Sequence, residues 1–575
     1  MSDNFVNLHV HTAQGSLLDS ILTVKELVNF AKENGQKAIA VTDHGKMHSF
    51  VDQVKVCKEA GIKPIIGCEV YEVDNQSEKA DTKDYKQPRY HLVLLAKNET
   101  GLKNLFKIVS NACVDGIYKK PRTSLNVIEE NNWGEGIICL TACQVGRMSK
   151  LLVAGEEQKA WQLWNRLKWL FDDVFMEVQS HDTPDQAEAN AKIAAFIKKY
   201  DLPYTITTDA HMLSKEDIDA HSVFVEIGEG REVGESYVDC YLQTENDVLK
   251  TLLKQFDEDF IRKGCETSVR IADMIDDIDI GLGQPNQMPE VKIEGEFDSH
   301  LDYLRYLVYS TFNEKFGWMS KEEQQTRRDR IEMELDVLEY VDYIDYFIML
   351  YMLCKVADER GIPRGYSRGS GANCLCLFML NVTQIDSVRW DLDFSRFANK
   401  GRKSLADFDF DISRRRRKEL VSIAEELFGK ESVAPIATFN SLSTKVAIKD
   451  IGKVLNEDPE SPYYMQIPYE LRNEVAKLIP TVKTLDDLGE EVEKEVLLKD
   501  ILGKSEQLSN VYDKFPLWFK YVMRLEGLPK SMGRHAAGTL ITPKPVIEYC
   551  PLCMDREGNQ MCQLEMHNAM DDLSL

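Results

Sequence analysis

The chain has 575 residues, 43% hydrophobic and 29% charged, a length and balance that call for several globular domains with sizeable cores. Its net charge of −25, from 95 acidic against 70 basic residues, excludes a protein that coats nucleic acid by bulk attraction, so any such contact must be local. The first residues hold neither a basic nor an apolar signal region, and the longest apolar stretch, near Tyr346–Cys354, is too short to span a bilayer.

A cytoplasmic placement with no membrane partner is therefore expected, and 13 cysteines scattered through apolar runs fit reduced thiols better than a disulfide framework. Over the first 275 or so residues, short apolar strands ending in metal-ligand residue types alternate with amphipathic helices. The expected strands are Phe5–His11, Ala38–His44, Pro64–Tyr71, Tyr90–Ala96, Gly136–Cys143 and Tyr204–His211, with helical segments such as Thr23–Asn34 and Ala187–Lys199 between them. Such alternation implies a parallel sheet, here a barrel, with functional groups at the C-terminal strand ends. His9, His11, Asp43, His44, Glu69, Cys143, Asp209 and His211 fall there, and His91 opens its strand. Period-2 alternation puts His9 with His11, and Asp209 with His211, on one strand face each. A mixed His/Asp/Glu/Cys set suits Zn²⁺, Mn²⁺ or Fe²⁺ in a cluster that activates water against a phosphoester.

A Gly/Pro/acid-rich stretch from about Gly281 to Phe297 reads as a linker. Beyond it, Ser367–Ala372 is a small glycine-rich loop between an amphipathic helix and the apolar helix Leu375–Leu380, able to bare backbone N–H groups to a triphosphate. Asp407, Asp409 and Asp411 then alternate with Phe408, Phe410 and Ile412, which predicts a β-strand with three carboxylates on one face and a packed apolar face behind. Carboxylates held so close are tolerated when divalent cations neutralise them, the outline of two-metal phosphoryl transfer. Arg414–Arg417 follow at once, and Lys445 and Lys449 share a helix face; both are candidates for phosphate contact. The Cys550, Cys553, Cys562 and His567 spacing is read as chance rather than a zinc knuckle.

The segments Asn7–Thr12, Val41–Gly45, Ile65–Val70 and Thr208–His211 resemble the motifs of PHP (polymerase and histidinol phosphatase) domains. That resemblance implies a distorted βα barrel with ligand positions on His9, His11, Asp19, His44, Glu69, His91, Cys143, Asp209 and His211, Asp19 requiring a one-residue shift in the loop Ala13–Leu18. The second half is similar to the C-family DNA polymerases through Asp345–Ile348, Gly361–Pro363, Ser367–Ala372, Arg389–Leu392, Asp407–Asp411, Thr438–Asn440, Lys445–Asp450 and His535–Gly538. Departures are Ala406 for a proline, Ser367 for a glycine, and Asn373 and Cys374 for small residues; none removes a carboxylate or the Gly-Ser pair.

The combined resemblance implies a multidomain α/β and α+β chain. A PHP domain would occupy 1–278, a polymerase-β-like nucleotidyltransferase palm 279–430, a helical thumb 431–520 and a returning palm segment 521–575. It implies a DNA-directed DNA polymerase acting on primed template DNA and dNTPs with two Mg²⁺. Asp409 and Asp411 would be catalytic, with Asp407 nearby, and Arg368, Gly369 and Ser370 would meet the nucleotide. Arg414, Arg415, Arg416, Lys445, Lys449 and His535 are the candidate DNA or phosphate contacts. The family's third carboxylate, fingers and clamp-binding motif would fall beyond Leu575, since Asp571 and Asp572 lack the alternation and aromatic backing of its strand; a second polypeptide is their expected source, with other replisome subunits as partners. The alternatives are a PHP-borne 3′–5′ exonuclease or phosphoesterase as the main activity, and a non-enzymatic assembly subunit.

Overall fold

The computed structural model describes residues 4–79, 87–229, 238–285, 287–401, 408–409, 411–457, 459, 461–485 and 491–575. Two compact units result: the first joins Met1–Asp279 to Ala437–Arg534 and Pro551–Gln563, the second joins Ile280–Ile436 to His535–Cys550 and Leu564–Leu575. The segment assigned by sequence to a thumb thus lies largely in the same unit as the N-terminal domain.

The first unit is built on a seven-stranded sheet. Its strands are β1 (Ala38–Val41), β2 (Lys63–Glu72), β3 (Tyr90–Ala96), β4 (Arg122–Thr123), β5 (Ile137–Leu140), β6 (Asp173–Gln179) and β7 (Tyr204–Thr207). The order is β1-β2-β3-β5-β6-β7, with β4 pairing β2. β1 is buried throughout and β6 nearly so, because helices cover the sheet and leave no solvent face to carry polar residues.

The sheet is mixed, which corrects the expectation of a parallel one. β3 runs antiparallel to both β2 and β5, while β1–β2, β5–β6 and β6–β7 are parallel. The reversal has a local cause: the connection from β2 to β3 carries no crossover helix among the described residues, so the chain returns beside the strand it has just left. It also explains why His91 opens its strand, whereas Cys143 and Asp209 come just after theirs.

Phe5–His11, expected as a strand, has no regular ladder among the described residues but hydrogen bonds on both sides. Asn7 and Val10 carbonyls accept from Ala40 and Thr42 N–H at 3.1 and 2.8 Å, and His11 N–H and His9 carbonyl pair with Ala210 at 2.8 and 3.2 Å. The segment therefore links the two edges of the sheet, beside β1 and just past β7. The missed strand β6 brings in Glu177.

A further core of this unit buries Trp518, Phe519 and Val522 with Ala447, Ile448 and Ile451, together with Val223 and Phe224 from the N-terminal region. The second unit is largely helical. His300–Ser310, Lys321–Tyr340, Ile344–Glu359, Leu375–Met379 and Arg417–Phe428 contribute to one apolar core around Phe347, Leu377 and Phe397. All 13 cysteines are buried, and no disulfide joins them. Among the described residues no helix is long and apolar enough to cross a membrane.

Candidate metal centre and nucleotidyl-transfer centre

In the first unit all nine expected ligand residues fall into one linked cluster. Glu69 is its hub: Oε2 lies 2.7 Å from His44 Nδ1 and 3.6 Å from His11 Nε2, and Oε1 lies 2.7 Å from His91 Nδ1 and 3.4 Å from His9 Nε2. Asp209 Oδ1 is 3.3 Å from His9 Nε2 and 3.1 Å from His11 Nε2. Asp19 Oδ2 sits 2.8 Å from His44 Nε2 and 3.7 Å from His211 Nε2, and Cys143 Sγ is 3.5 Å from His91 Nδ1.

The local backbone explains how these side chains converge. His9 and His11 alternate on an extended segment, as expected, with ring centroids 5.1 Å apart. Asp209 and His211 do not share a strand face: β7 ends at Thr207, and Asp209 takes a left-handed φ of 47° that turns the chain. Ala142, just before Cys143, is likewise left-handed at φ 60°. Such backbone persists where the surroundings over-determine it, and it clusters at functional sites. Asp19 is carried by a loop that Asp43 holds: the buried Asp43 carboxylate accepts from Thr12 N–H at 2.6 Å, Thr12 Oγ1 at 2.8 Å and Ser16 Oγ at 3.0 Å. Gly15 is required there, because a Cβ would lie 1.9 Å from Asp43 Oδ2. Asp43 is thus a brace rather than a member of the cluster.

Close contact and burial shift the titration of the cluster strongly. Burial opposes charge throughout, yet Asp209, Glu177 and Glu69 hold His9 well above the usual histidine range, and Glu69 and Asp19 lift His44 to about 10. Burial together with His44 and His211 pushes His11 well below that range. Against burial, the neighbouring histidines hold Glu69, Asp19 and Asp209 far below ordinary carboxyl values. Burial, Glu69 and Asp209 raise the Cys143 thiol. His9 Nε2, His11 Nε2, both Glu69 oxygens and Asp209 Oδ1 are buried and make no hydrogen bond among the described residues. Buried polar atoms of opposite kinds that converge without hydrogen bonds fit a shared metal ion. Three sets have ligand atoms close enough to hold one: His11 with His44 and His211, His9 with His11 and Asp209, and His44 with Glu69 and His91.

The second unit holds the aspartates. Asp407 and Phe410 lie outside the described residues. Asp409 and Asp411 are exposed, while Phe408 and Ile412 pack on the core, so the inside–outside alternation holds. Only Phe408, Asp409, Asp411 and Ile412 of the expected β-strand are described; there Ile412 forms an isolated bridge with Arg364, and Gly365 N–H donates to Asp411 O at 2.7 Å.

The glycine-rich loop folds against this segment. A Cβ on Gly365 would lie 2.5 Å from Asp411 Cβ, on Gly369 3.1 Å from Asp409 Oδ2, and on Gly371 2.5 Å from Phe408 Cε2. Gly369 also needs its φ of 65° and ψ of −158°, a region closed to other residues. Ser370–Asn373 form a single 3₁₀ turn, and Arg368 Nε stands 3.5 Å from Asp411 Oδ1 and 3.9 Å from Asp409 Oδ2. A guanidinium drawn between the two carboxylates marks where cationic charge is favoured.

Behind the loop, the fully buried Glu334 accepts from Leu375 N–H at 2.9 Å, Cys376 N–H at 2.8 Å and Cys374 Sγ at 3.2 Å. Arg330 donates to Glu334 Oε1 at 2.7 Å and to the carbonyls of Asn373 and Leu392 at 2.9 and 3.0 Å. This pair fixes the end of the loop and the start of the next helix.

Residues 7–181 match the family model of the PHP domain, and residues 302–575 match that of the bacterial DNA polymerase III alpha NTPase domain. Curated proteins named DNA polymerase III subunit alpha align along nearly the whole chain. That of Borreliella burgdorferi is 32% identical over 572 residues, covering 98% of this chain and 47% of the relative. That of Aquifex aeolicus is 30% identical, covering 98% and 50%, and that of Treponema pallidum is 31% identical, covering 100% and 47%. The chain belongs to the DNA polymerase III alpha subunit family. It spans about half the length of the curated relatives it matches.

Within this family member the basic residues expected to meet DNA are differently placed. Arg414, Arg415 and Lys449 are exposed. Arg416 is engaged by Glu419, at 2.6 Å from Nη2 to Oε2, and by the Gly361 and Arg360 carbonyls. Lys445 Nζ faces Thr481 Oγ1 at 3.1 Å and Glu495 Oε1 at 3.9 Å. His535 Nδ1 accepts from Gly538 N–H at 2.6 Å, which fixes its own turn. Sequence reasoning missed Glu177, Gly365 and the Arg330–Glu334 pair. The signal for Glu177 was a lone acid inside the apolar run Val174–Val178, and that for Glu334 its i, i+4 spacing from Arg330.

Proposed function

We propose that this chain carries the nucleotidyl-transfer centre of a replicative DNA polymerase, with Asp409 and Asp411 as its carboxylates and Arg368, Gly369 and Ser370 as its nucleotide-binding loop. The single observation that carries this reading is the packing of Gly365, Gly369 and Gly371 against Asp411, Asp409 and Phe408. Mg²⁺ bound there would lower the pKa of a primer 3′-hydroxyl and offset charge on the leaving pyrophosphate. Asp409 and Asp411 present exposed oxygens to such ions. The loop bares backbone N–H groups where a triphosphate would lie, and Arg368 is free to exchange the carboxylates for a phosphate, which it can grip in bidentate fashion. On this reading 279–430 is the palm, 431–520 the thumb and 521–575 a returning palm segment, with Arg414, Arg415 and Lys449 toward the DNA backbone and Asp407 in support. Primer extension with dNTPs and Mg²⁺ tests it: Asp409→Asn and Asp411→Asn should each abolish extension without changing the melting temperature. Extension unaffected by either change would refute the assignment.

The convergence of nine ligand-type residues supports a second centre in the PHP domain, holding Zn²⁺, Mn²⁺ or Fe²⁺ and hydrolysing phosphoesters, including a primer 3′ end. When bound, the ions would supply an activated water. His9→Ala should remove both metal and hydrolysis; a variant that kept both would sink this reading.

A further inference from the structure

We propose that Glu177 is the positioning residue that orients His9 toward a bound metal ion, a role resting on the reading of the cluster as a metal centre. His9 and Glu177 are both fully buried, and Glu177 Oε1 lies 2.7 Å from His9 Nδ1. A carboxylate has only acceptors, so this contact keeps a proton on Nδ1 and makes Nε2 the nitrogen whose lone pair a bound cation would take in place of a proton. That nitrogen makes no hydrogen bond among the described residues and points at Glu69 Oε1 and Asp209 Oδ1, 3.4 and 3.3 Å away. The ring is therefore set for a cation on one side by a carboxylate on the other, the arrangement that fixes tautomer and raises basicity in metal-bound histidines.

Glu177 is itself held. Thr207 Oγ1 donates to Oε1 at 2.6 Å, and Glu177 N–H donates to Thr141 Oγ1 at 2.9 Å, so β7 and the residue just past β5 both fix its place. Gln179, two residues on and on the same strand face, donates to Glu177 Oε1 at 3.4 Å and to Asp209 Oδ2 at 3.2 Å. One amide thereby ties the carboxylate behind His9 to a carboxylate in front of it. A buried acid with a merely structural role needs none of this geometry, since an apolar residue would fill β6 at lower desolvation cost.

The test is titration of the metal-free full chain with Zn²⁺ against a competing chelator, with Co²⁺ as a spectroscopic probe. Glu177→Gln and Glu177→Ala should weaken binding about ten- to hundredfold and alter the visible Co²⁺ bands. Thr207→Val, which removes the hydroxyl that fixes Oε1, should shift the bands in the same direction and covers the case in which an Ala variant does not fold. His9→Ala should lose at least as much affinity. Folded Glu177→Gln and Thr207→Val proteins with wild-type affinity and bands, alongside a His9→Ala that loses metal, would overturn the role of Glu177 and leave the metal centre standing. A wild-type chain that takes up neither Zn²⁺ nor Co²⁺ would overturn the metal centre itself.

Discussion

Replacing Glu334 with leucine tests how the glycine-rich loop is anchored. The carboxylate is 0% exposed and serves the N–H groups of Leu375 and Cys376 and the Arg330 guanidinium at once. Leucine fills similar volume but accepts nothing. Each N–H left buried without an acceptor costs about 1–3 kcal/mol. Removing one member of a buried ion pair costs about 3–5 kcal/mol, and the two figures describe overlapping losses, so about 3–5 kcal/mol is expected in total. Arg330 keeps its two carbonyl acceptors and part of its solvent contact, which limits the loss on that side. At 1.4 kcal/mol per decade, local opening should become roughly 10²-fold to a few thousandfold more frequent. Hydrogen exchange read on a peptide spanning residues 374–380 measures that opening directly, without requiring the whole chain to unfold in two states. Exchange accelerated less than tenfold would show that the helix start does not depend on this carboxylate.

Gly369→Ala should destabilise the second unit by about 1–3 kcal/mol through its backbone conformation alone, read as a lower melting temperature. Stripping metal should also lower the melting temperature, since an ion at a hundred times its dissociation constant adds about 2.7 kcal/mol, and a chelator that leaves melting unchanged would contradict the metal centre. His48 supplies a pH test. Burial and Lys46 depress it from 6.5 to about 3 in the folded chain, against the contact of its Nδ1 with Gln563 O. The unfolded chain then binds the proton first, so the stabilisation is present above pH 6.5 and is lost as pH falls toward 3, at up to about 1.4 kcal/mol per pH unit. Denaturation curves at pH 7 and pH 5 should show the loss, and His48→Gln should flatten it.

Much of the cluster around Glu69 was legible in the sequence because its residues lie within or beside short apolar runs, and the burial pattern of β1, β2, β3, β5 and β7 sits where those runs predict. What the runs could not reveal was direction: nothing in Tyr90–Ala96 itself distinguishes a strand running up from one running down, since the connection before it decides. Nor could period-2 reasoning anticipate Asp209, whose left-handed backbone replaces strand alternation with a turn. Around Asp409 and Asp411 the alternation was legible, since both carboxylates face outward while Phe408 and Ile412 pack inward. What packs against them was not: Gly365 and Gly369 come from some forty residues earlier, and local sequence does not encode that contact. Glu177 escaped notice for a similar reason, since one acid in an apolar run looks like an interruption until Thr207 and His9 are brought to it.

The three glycines at 365, 369 and 371 carry a last consequence. Each is shaped by one atom group of a segment some forty residues later, so the two stretches behave as one mechanical part cut from distant lengths of chain. Length changes between Leu380 and Lys400 should be absorbed by the intervening loops, whereas a single inserted residue inside either stretch would misalign every contact together. In a diverging lineage these two stretches are therefore expected to drift in concert, with a larger side chain in one matched by a retreat in the other.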